Sequence, residues 1–275
     1  MVGEFHLPRW LSVLIGIGVA GVLLFLVLPV AVIFPLSFSA SPYLEFPPRG
    51  WSLQWYRNYF GRADWVSATI LSFKIATGTS LLATLIGTLT AFGFSRCNFR
   101  GRSVCVGVVL SPVILPGMII AVAIYFFYAR VGLLGSSVGL VLAHTLLAIP
   151  FVFLTVTASL KGFDRNLELA AMSLGGKPLY TFARVTLPLI RPGMLSGALF
   201  AFVTSFDELI VALFVTAPTA VTLPRRMWEG VRLEIDPTIA AVSAMLITLA
   251  VLFLGLFRLL QPRQLGGQAS GALEE

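Results

Sequence analysis

The sequence predicts an all-α, polytopic membrane protein: a bundle of six transmembrane helices with an elbow of two short helices on its cytosolic side. Three observations predict this fold class. Hydrophobic residues make up 57% of the 275-residue chain and charged residues only 11%, which is far more apolar than an ordinary soluble domain. Six apolar stretches have about the 20 residues that a helix needs to cross a bilayer. One amphipathic stretch, between the fourth and fifth of them, is too polar to span.

The six predicted spans divide the chain. They cover residues 11–38, 66–93, 105–128, 138–158, 193–216 and 238–260. The first could instead be a cleaved signal peptide, but its apolar run exceeds twenty residues and lacks a convincing A-x-A cleavage site, so we expect a retained helix. We then expect a cytosolic N-terminus over residues 1–10, a transmembrane domain over 11–260 and a flexible cytosolic tail over 261–275.

The placement of basic residues predicts the orientation. The formal charge of +7 could indicate nucleic acid, but Lys and Arg fall between apolar runs rather than along one face, so no nucleic-acid partner is expected. With both termini in the cytosol, inside segments hold eleven basic residues and outside segments seven. This excess on the inside agrees with the positive-inside rule. The strongest local signal is the short loop after the second span, which carries Arg96, Arg100 and Arg102.

Small residues and prolines within the spans predict how the helices pack. Gly87 and Ala91, four residues apart in the second span, would let two helix backbones approach closely. Pro112 and Pro116 in the third span and Pro150 in the fourth predict kinks, which membranes tolerate when neighbours satisfy the freed backbone groups. The aromatic residues of the first outer loop, "FPPRGWSLQWYRNYF", suit a membrane-water interface.

Metal and redox chemistry are not expected. Cys97 and Cys105 flank a basic loop without CxxC spacing or a nearby histidine, and His6 and His144 are each isolated. A lone histidine near a span more often packs or hydrogen-bonds between helices than binds a metal. No hydrolase, kinase or Walker-type motif is present. We therefore expect no catalytic residues, no metal and no cofactor, and no enzymatic activity.

The elbow, defined as residues 164–192, begins with a short predicted helix. Asp164 and Asn166 suit the N-terminal cap. Gly175 and Gly176 end the helix, because glycine readily takes the left-handed geometry that follows a helix. The apolar residues recur at i, i+3, i+4 and i+7 and predict one apolar face. They are Leu167, Ala170, Ala171 and Leu174.

A second short helix completes the predicted elbow. Pro178 suits its first turn, and Leu187-Pro188 is expected to stop it. By periodicity alone, the elbow could lie on the inner leaflet, where Lys177, Arg184 and Arg191 would face lipid phosphates. The residue pattern fits a helix pair on the membrane surface and a helix pair that docks to another protein equally well.

The elbow resembles the EAA loop of permease subunits of binding-protein-dependent ABC importers. The pattern of that loop is E-A-A, three residues, Gly, nine residues, a branched apolar residue, one residue and Leu-Pro. The matching positions are Ala170, Ala171, Gly175, Val185, Leu187 and Pro188. The motif glutamate is replaced by Leu169, with Glu168 one residue earlier. A shift of one residue turns a helical side chain by about 100°, so Glu168 is not assumed to make the motif contact.

The resemblance covers nearly the whole chain. It includes "LPGMIIAVAIY" in the third span and "SFDELIVALFV" followed by "TLPRRMWEGVRLEIDPTIAAVS", which looks most like the PotC-like branch of spermidine/putrescine permeases. It implies the type I ABC importer permease fold and a bacterial inner (plasma) membrane location. It also implies an elbow that docks into a cytosolic ATPase. The residues carried over for ATPase coupling are Glu168, Ala170, Ala171, Gly175, Leu187 and Pro188.

The resemblance also implies partners. They are two copies of a cytosolic ATP-binding subunit, a second homologous permease and a periplasmic or extracellular solute-binding protein, within membrane lipid. ATP hydrolysis would then take place on the partner subunits. The implied substrates are polyamines, and alternating access would move them inward.

Asp207 and Glu208 lie well inside the predicted fifth span. An ionisable residue at the bilayer centre costs about 2.5–3.5 kcal/mol on insertion scales, so it normally faces a cavity, a partner or a substrate. Carboxylates attract cations, most strongly where the dielectric constant is low, which fits polyamine substrates. The structural alternatives are pairing with a basic residue of a partner subunit, or a position closer to the outer surface.

Two other functional classes remain alternatives. An ion-coupled secondary transporter would be favoured by inverted repeats, which we do not see. A membrane-embedded enzyme would need catalytic groups that converge, whereas adjacent acids on a helix point about 100° apart. Within the ABC class, the substrate could also be another organic cation or a metal complex.

Overall fold

The computed structural model describes residues 8–217, 220–234 and 236–260. Most of the predicted cytosolic N-terminus and all of the predicted tail, 261–275, lie outside these residues. Regular structure within the described ranges is helical, as predicted, apart from one isolated bridge between Ser39 and Trp51. The elements, in chain order, are α1 (Arg9–Ser37), α2 (Gln54–Gly61), α3 (Ala63–Arg96), α4 (Arg102–Ile114), α5 (Gly117–Val131), α6 (Ser137–Lys161), α7 (Asn166–Ser173), α8 (Pro178–Thr181), a first π turn (Phe182–Thr186), α9 (Leu187–Phe206), α10 (Ile210–Val215), α11 (Leu223–Glu229), a second π turn (Gly230–Glu234) and α12 (Thr238–Leu260).

The chain divides into two compact units. The first comprises the chain up to Arg62 and from Gly230 onward, and in it α12 packs against α1 and α2. Asn58 Nδ2 donates a hydrogen bond to Thr238 Oγ1 at 2.7 Å, and Arg62 pairs with Asp236 at 3.2 Å. Asp236 also accepts from the backbone N–H of Thr238 at 2.9 Å, which satisfies a free donor at the start of α12.

Two aromatic residues of the first outer loop anchor it to the end of α1. Trp55 Nε1 donates to the carbonyl oxygen of Ser39 at 2.8 Å, and the Tyr56 and Ser37 hydroxyl oxygens lie 2.8 Å apart. Trp51 is 71% exposed, as a residue at a membrane-water interface would be. The loop aromatics thus divide between exposed and internal positions.

The second unit, Ala63–Glu229, is built on α3, α6 and α9. Glycines allow these helices to touch. A Cβ atom on Gly87 would lie 2.7 Å from Val152 Cβ, and one on Gly197 would lie 3.0 Å from Val152 Cα. The predicted close approach at Gly87 and Ala91 is confirmed, because Ala91 is fully buried in the same core. Small residues therefore set the spacing of α3, α6 and α9.

Four described helical segments are long and apolar enough to cross a membrane. The third predicted span, 105–128, is not one straight helix: α4 ends at Ile114 and α5 begins at Gly117, with a bend of 104° between them. The cause is Pro116, which has no N–H and holds the preceding Leu115 in extended backbone. The bent pair is a fifth candidate span if it crosses as a unit. The sixth predicted span coincides with α12, and a count of six stays a prediction.

The fifth predicted span, 193–216, is wrong at both ends. One helical segment runs from Pro178 through the first π turn to Phe206, and the chain then breaks before α10. The expected stop at Leu187-Pro188 is therefore absent from this described segment. Pro188 lies in the first turn of α9, directly after the π turn, where a missing N–H costs least.

Candidate functional site

The turn of the elbow follows the sequence prediction closely. Asp164 Oδ1 accepts a hydrogen bond from the backbone N–H of Asn166 at 2.9 Å, while Asn166 itself is the first residue of α7. α7 ends at Ser173, and Gly175 has φ +89°, the left-handed conformation predicted for it. Pro178 then begins α8. The predicted glycine turn and proline start are confirmed, whereas the cap position belongs to Arg165, whose side chain makes no capping bond, so Asn166 is not a cap.

The elbow exposes much of its apolar surface. Leu174 is 90% exposed and Leu179 is 79% exposed, on either side of the glycine turn. The adjoining surface is also exposed, at Leu167, Leu169, Ala170 and Tyr180, and Ala171 is half-buried. The predicted apolar face of α7 thus points away from the unit's core. Exposed apolar surface rimmed by polar groups is typical of interaction sites.

Glu168 is the one residue of α7 that faces inward, and it is 5% exposed. Both carboxylate oxygens accept hydrogen bonds from the Arg96 guanidinium, at 2.7 Å from Nε and 2.9 Å from Nη2. Thr186 Oγ1 donates a third, at 2.6 Å. Burial opposes ionisation, but the bonds from Arg96 and Thr186 and the charges of Arg96 and Arg165 outweigh it and hold the pKa of Glu168 below its usual value.

Aromatic rings enclose the arginine of this pair. The guanidinium carbon of Arg96 lies 5.7 Å from the centre of the Phe92 ring and 5.9 Å from that of Phe163. Phe92 in turn packs on Phe182 of the π turn, with ring centres 4.6 Å apart. Leu187 and Pro188, which the sequence assigned to ATPase coupling, are half-buried next to Thr186.

Asp207 and Glu208 lie at a break between helices rather than inside one. α9 ends at Phe206, and α10 begins at Ile210. Asp207 is exposed. Glu208 is half-buried, and its Oε1 accepts a hydrogen bond from the backbone N–H of Val211 at 2.7 Å, which caps the start of α10. The two carboxylates therefore have different surroundings, for a reason other than the expected 100° helical rotation.

Aromatic and polar side chains surround the end of α9. Phe206 packs edge-on against Phe73 of α3, at 5.0 Å between ring centres, and stacks on Phe202 at 5.9 Å. Ser205 Oγ lies 2.8 Å from Nδ1 of His144, and both residues are buried. His144 thus makes the interhelical hydrogen bond expected of a lone histidine in a span.

The two interrupted segments of the unit pack against each other. α10 lies on α5, where Val211, Ala212 and Val215 join Ile120 and Ile124 in one buried cluster. Each helix follows a break, at Leu115 and Pro116 for α5 and at residues 207–209 for α10. Irregular backbone within a membrane is tolerated where it is buried in protein or lines a water-filled cavity. Broken helices of this kind often border transport sites.

Sequence reasoning found the elbow and both acids but missed their partners. Arg96 was counted only toward orientation, and nothing in the spacing relates it to Glu168, which lies 72 residues away. The Phe73, Phe202 and Phe206 cluster was also missed, since aromatic residues are common throughout the spans. The sequence carries no signal that relates Glu168 to a basic partner, because the burial that requires one appears only in the structure.

Comparison with known proteins identifies similar chains. Residues 17–266 match the family model described as "Binding-protein-dependent transport system inner membrane component". The spermidine/putrescine transport system permease protein PotC of Haemophilus influenzae is 30% identical over 86% of this chain and 91% of its own. The putrescine transport system permease protein PotI of Escherichia coli K12 is 31% identical over 81% of this chain and 82% of its own.

A solved structure has the same fold. It is a crystal structure of a bacterial ABC transporter involved in the import of the acidic polysaccharide alginate, matched with a TM-score of 0.76 over 94% of this chain and 100% of that chain. The identity is 13%, so the match concerns the fold alone.

Proposed function

Because the chain belongs to the family of binding-protein-dependent transport system inner membrane components, we propose that it moves a small cationic solute, such as spermidine or putrescine, into the cell. It is a transport subunit of the inner membrane, and ATP hydrolysis is assigned to a separate subunit. The relatives named for spermidine and putrescine transport support this choice of solute. Both termini are assigned to the cytosol.

The elbow is the proposed contact with the ATPase. Its exposed leucines, above all Leu174 and Leu179, suit an apolar cleft in a partner, since desolvating apolar area drives association. The coupling residues proposed from the sequence are Glu168, Ala170, Ala171, Gly175, Leu187 and Pro188. Two ATP-binding subunits would serve this chain and a second permease, while a solute-binding protein would deliver the solute to the outer face. Membrane lipid surrounds the assembly, and no nucleic acid is involved.

The acids at the break are the proposed part of the solute pathway. The single observation that carries this proposal is the position of Asp207 and Glu208 between α9 and α10, where the backbone is irregular. Their negative charge favours cations, and the faces of Phe202 and Phe206 nearby suit ammonium groups through cation-π attraction. ATP-driven closure of the ATPases would move the elbows, and the helices would open the pathway alternately to each side.

The test is uptake into proteoliposomes that contain the purified complex. ATP is enclosed inside the vesicles, the solute-binding protein and labelled putrescine are added outside, and ionophores remove ion gradients. We expect accumulation that requires internal ATP and is unaffected by the ionophores. Accumulation that follows an ion gradient without ATP would instead indicate a secondary transporter. ATP hydrolysis stimulated by a different solute, with no putrescine uptake, would contradict the polyamine assignment.

A further inference from the structure

The buried contact between the elbow and the spans joins three segments that are far apart in sequence. Glu168 is on α7, Arg96 is the last residue of α3, and Thr186 is the last residue of the π turn that leads into α9. We call these three residues the elbow bracket. Their side chains are almost entirely enclosed: Glu168 is 5% exposed, Thr186 is fully buried, and the Arg96 side chain is 18% exposed.

We propose that the elbow bracket transmits movement of the elbow to α3 and α9, and that Arg96, Glu168 and Thr186 are positioning residues for transport. This inference rests on the proposed function. It gives Glu168 a role inside the chain, where the sequence had suggested a contact with the ATPase. The outward position beside it belongs to Leu169, which is 46% exposed.

The geometry of the bracket favours transmission over simple packing. The two parallel N–H···O bonds between Arg96 and Glu168 fix the angle between the groups as well as their distance. A displacement of α7 therefore cannot be absorbed by rotation about a single bond. The guanidinium also lies over the phenyl rings of Phe92 and Phe163, so the arginine has contacts in addition to its partner.

The third contact of the bracket, from Thr186 to Glu168, comes from the π turn. Single π turns within helices recur at functional sites, and this one lies between α8 and α9. The Thr186 hydroxyl bonds to the same Glu168 oxygen that accepts from Arg96. One carboxylate thus links the elbow to the ends of two long helices of the bundle core. Leu174 and Leu179, in contrast, are exposed, where a partner could apply force.

The experiment measures solute transported per ATP hydrolysed, using the full complex in proteoliposomes. Glu168→Gln keeps the shape of the side chain and removes its charge, and Arg96→Lys keeps the charge and removes the paired bonds. Arg184→Gln, at an exposed site on the π turn, is the matched control. We expect both bracket variants to bind the ATPase and hydrolyse ATP, while transport per ATP falls about tenfold, within the usual range of coupling between sites. The control should match the unchanged protein.

Each outcome is decisive for the bracket. An unchanged transport-to-hydrolysis ratio in Glu168→Gln and Arg96→Lys would overturn the proposal, even if both variants are less stable. If neither variant can be purified, Thr186→Val, which removes one hydroxyl at constant shape, decides it: a lowered ratio supports the bracket and an unchanged ratio overturns it. Failure of the unchanged chain to co-purify with any ATPase would refute the proposed function instead, so the two failures are distinguishable.

A spectroscopic measurement separates positioning from stability. Spin labels are placed at Lys177→Cys on the exposed elbow and at Cys105 on α4, with Cys97→Ser, and their separation is measured in the complex with and without ATP. In the protein with the unchanged bracket, we expect one narrow distribution of the distance between the two labels. In Glu168→Gln, we expect a broad one. Identical distributions would show that the elbow is held by other contacts.

Discussion

Asp207 and Glu208 are neighbours in sequence, but the structure separates their roles. The Glu208 carboxylate is engaged by the N–H of Val211 at the start of α10, whereas Asp207 is exposed at the end of α9. Helix capping by a side chain contributes about 0.5–2 kcal/mol. The stability of α10 therefore depends on Glu208, while Asp207 offers the more accessible charge to a cation.

Substitutions at the two acids should have different consequences. We expect Asp207→Asn to lower uptake of a cationic solute about tenfold, by loss of the accessible negative charge that attracts the cation, without changing the melting temperature. Glu208→Ala should lower the melting temperature as well, because the cap is lost. Uptake kinetics and thermal unfolding of the purified complex test both. Full uptake by Asp207→Asn would assign that residue to structure.

The lowered pKa of Glu168 predicts a pH-dependent contribution to stability. The folded-state pKa lies below the unfolded value of 4.5, so the ion pair stabilises fully above pH 4.5, and its contribution is lost as pH falls through the folded pKa. Removing one partner of a buried pair costs about 3–5 kcal/mol. The difference in melting temperature between the unchanged protein and Glu168→Gln should therefore be largest at neutral pH and shrink below pH 4.5. A difference that is constant with pH would contradict this prediction.

Among the elements, the elbow depends on one backbone conformation. Gly175 has φ +89° and open space around its missing Cβ, so a side chain there would strain the backbone without a clash. Left-handed geometry costs residues other than glycine about 1–2 kcal/mol. We expect Gly175→Val to reduce co-purification of the ATPase while leaving membrane insertion intact. Gly107→Val, also in open space but within α4, is the control.

Local signals predicted the elbow better than the spans. The glycine turn and the proline start involve only neighbouring residues, so backbone rules locate them from sequence. The stop expected at Pro188 failed because a π turn, which has no clear sequence signature, places this proline in the first turn of α9. The break after Phe206 also escaped prediction, because the apolar pattern continues through α10, whereas the helix is interrupted at residues 207–209. The bracket was not predictable, since it joins residues that are distant in sequence.

At the scale of the whole molecule, the two cysteines provide a test of orientation. Cys97 follows α3, is exposed, and lies in the loop predicted to face the cytosol. In a Cys105→Ser background, a membrane-impermeant maleimide should label Cys97 only after the cells are permeabilised. Tyr43→Cys, in the exposed part of the first outer loop and without other cysteines, should react in intact cells. Labelling of Cys97 from outside would reverse the predicted topology.

The close contact between α6 and α9 has a mechanical consequence. A Cβ atom on Gly193 would lie 2.9 Å from the carbonyl oxygen of Thr155 and would also clash with the Ser159 side chain, so only glycine fits at this contact. α9 is about 30 Å long at 1.5 Å per residue and carries the π turn at one end and Asp207 at the other. Pro192 lies inside α9, but the packing of α9 along α6 limits how far the helix could bend under a push at the elbow. The first joint that such a push reaches is the break at residues 207–209, where the acids lie.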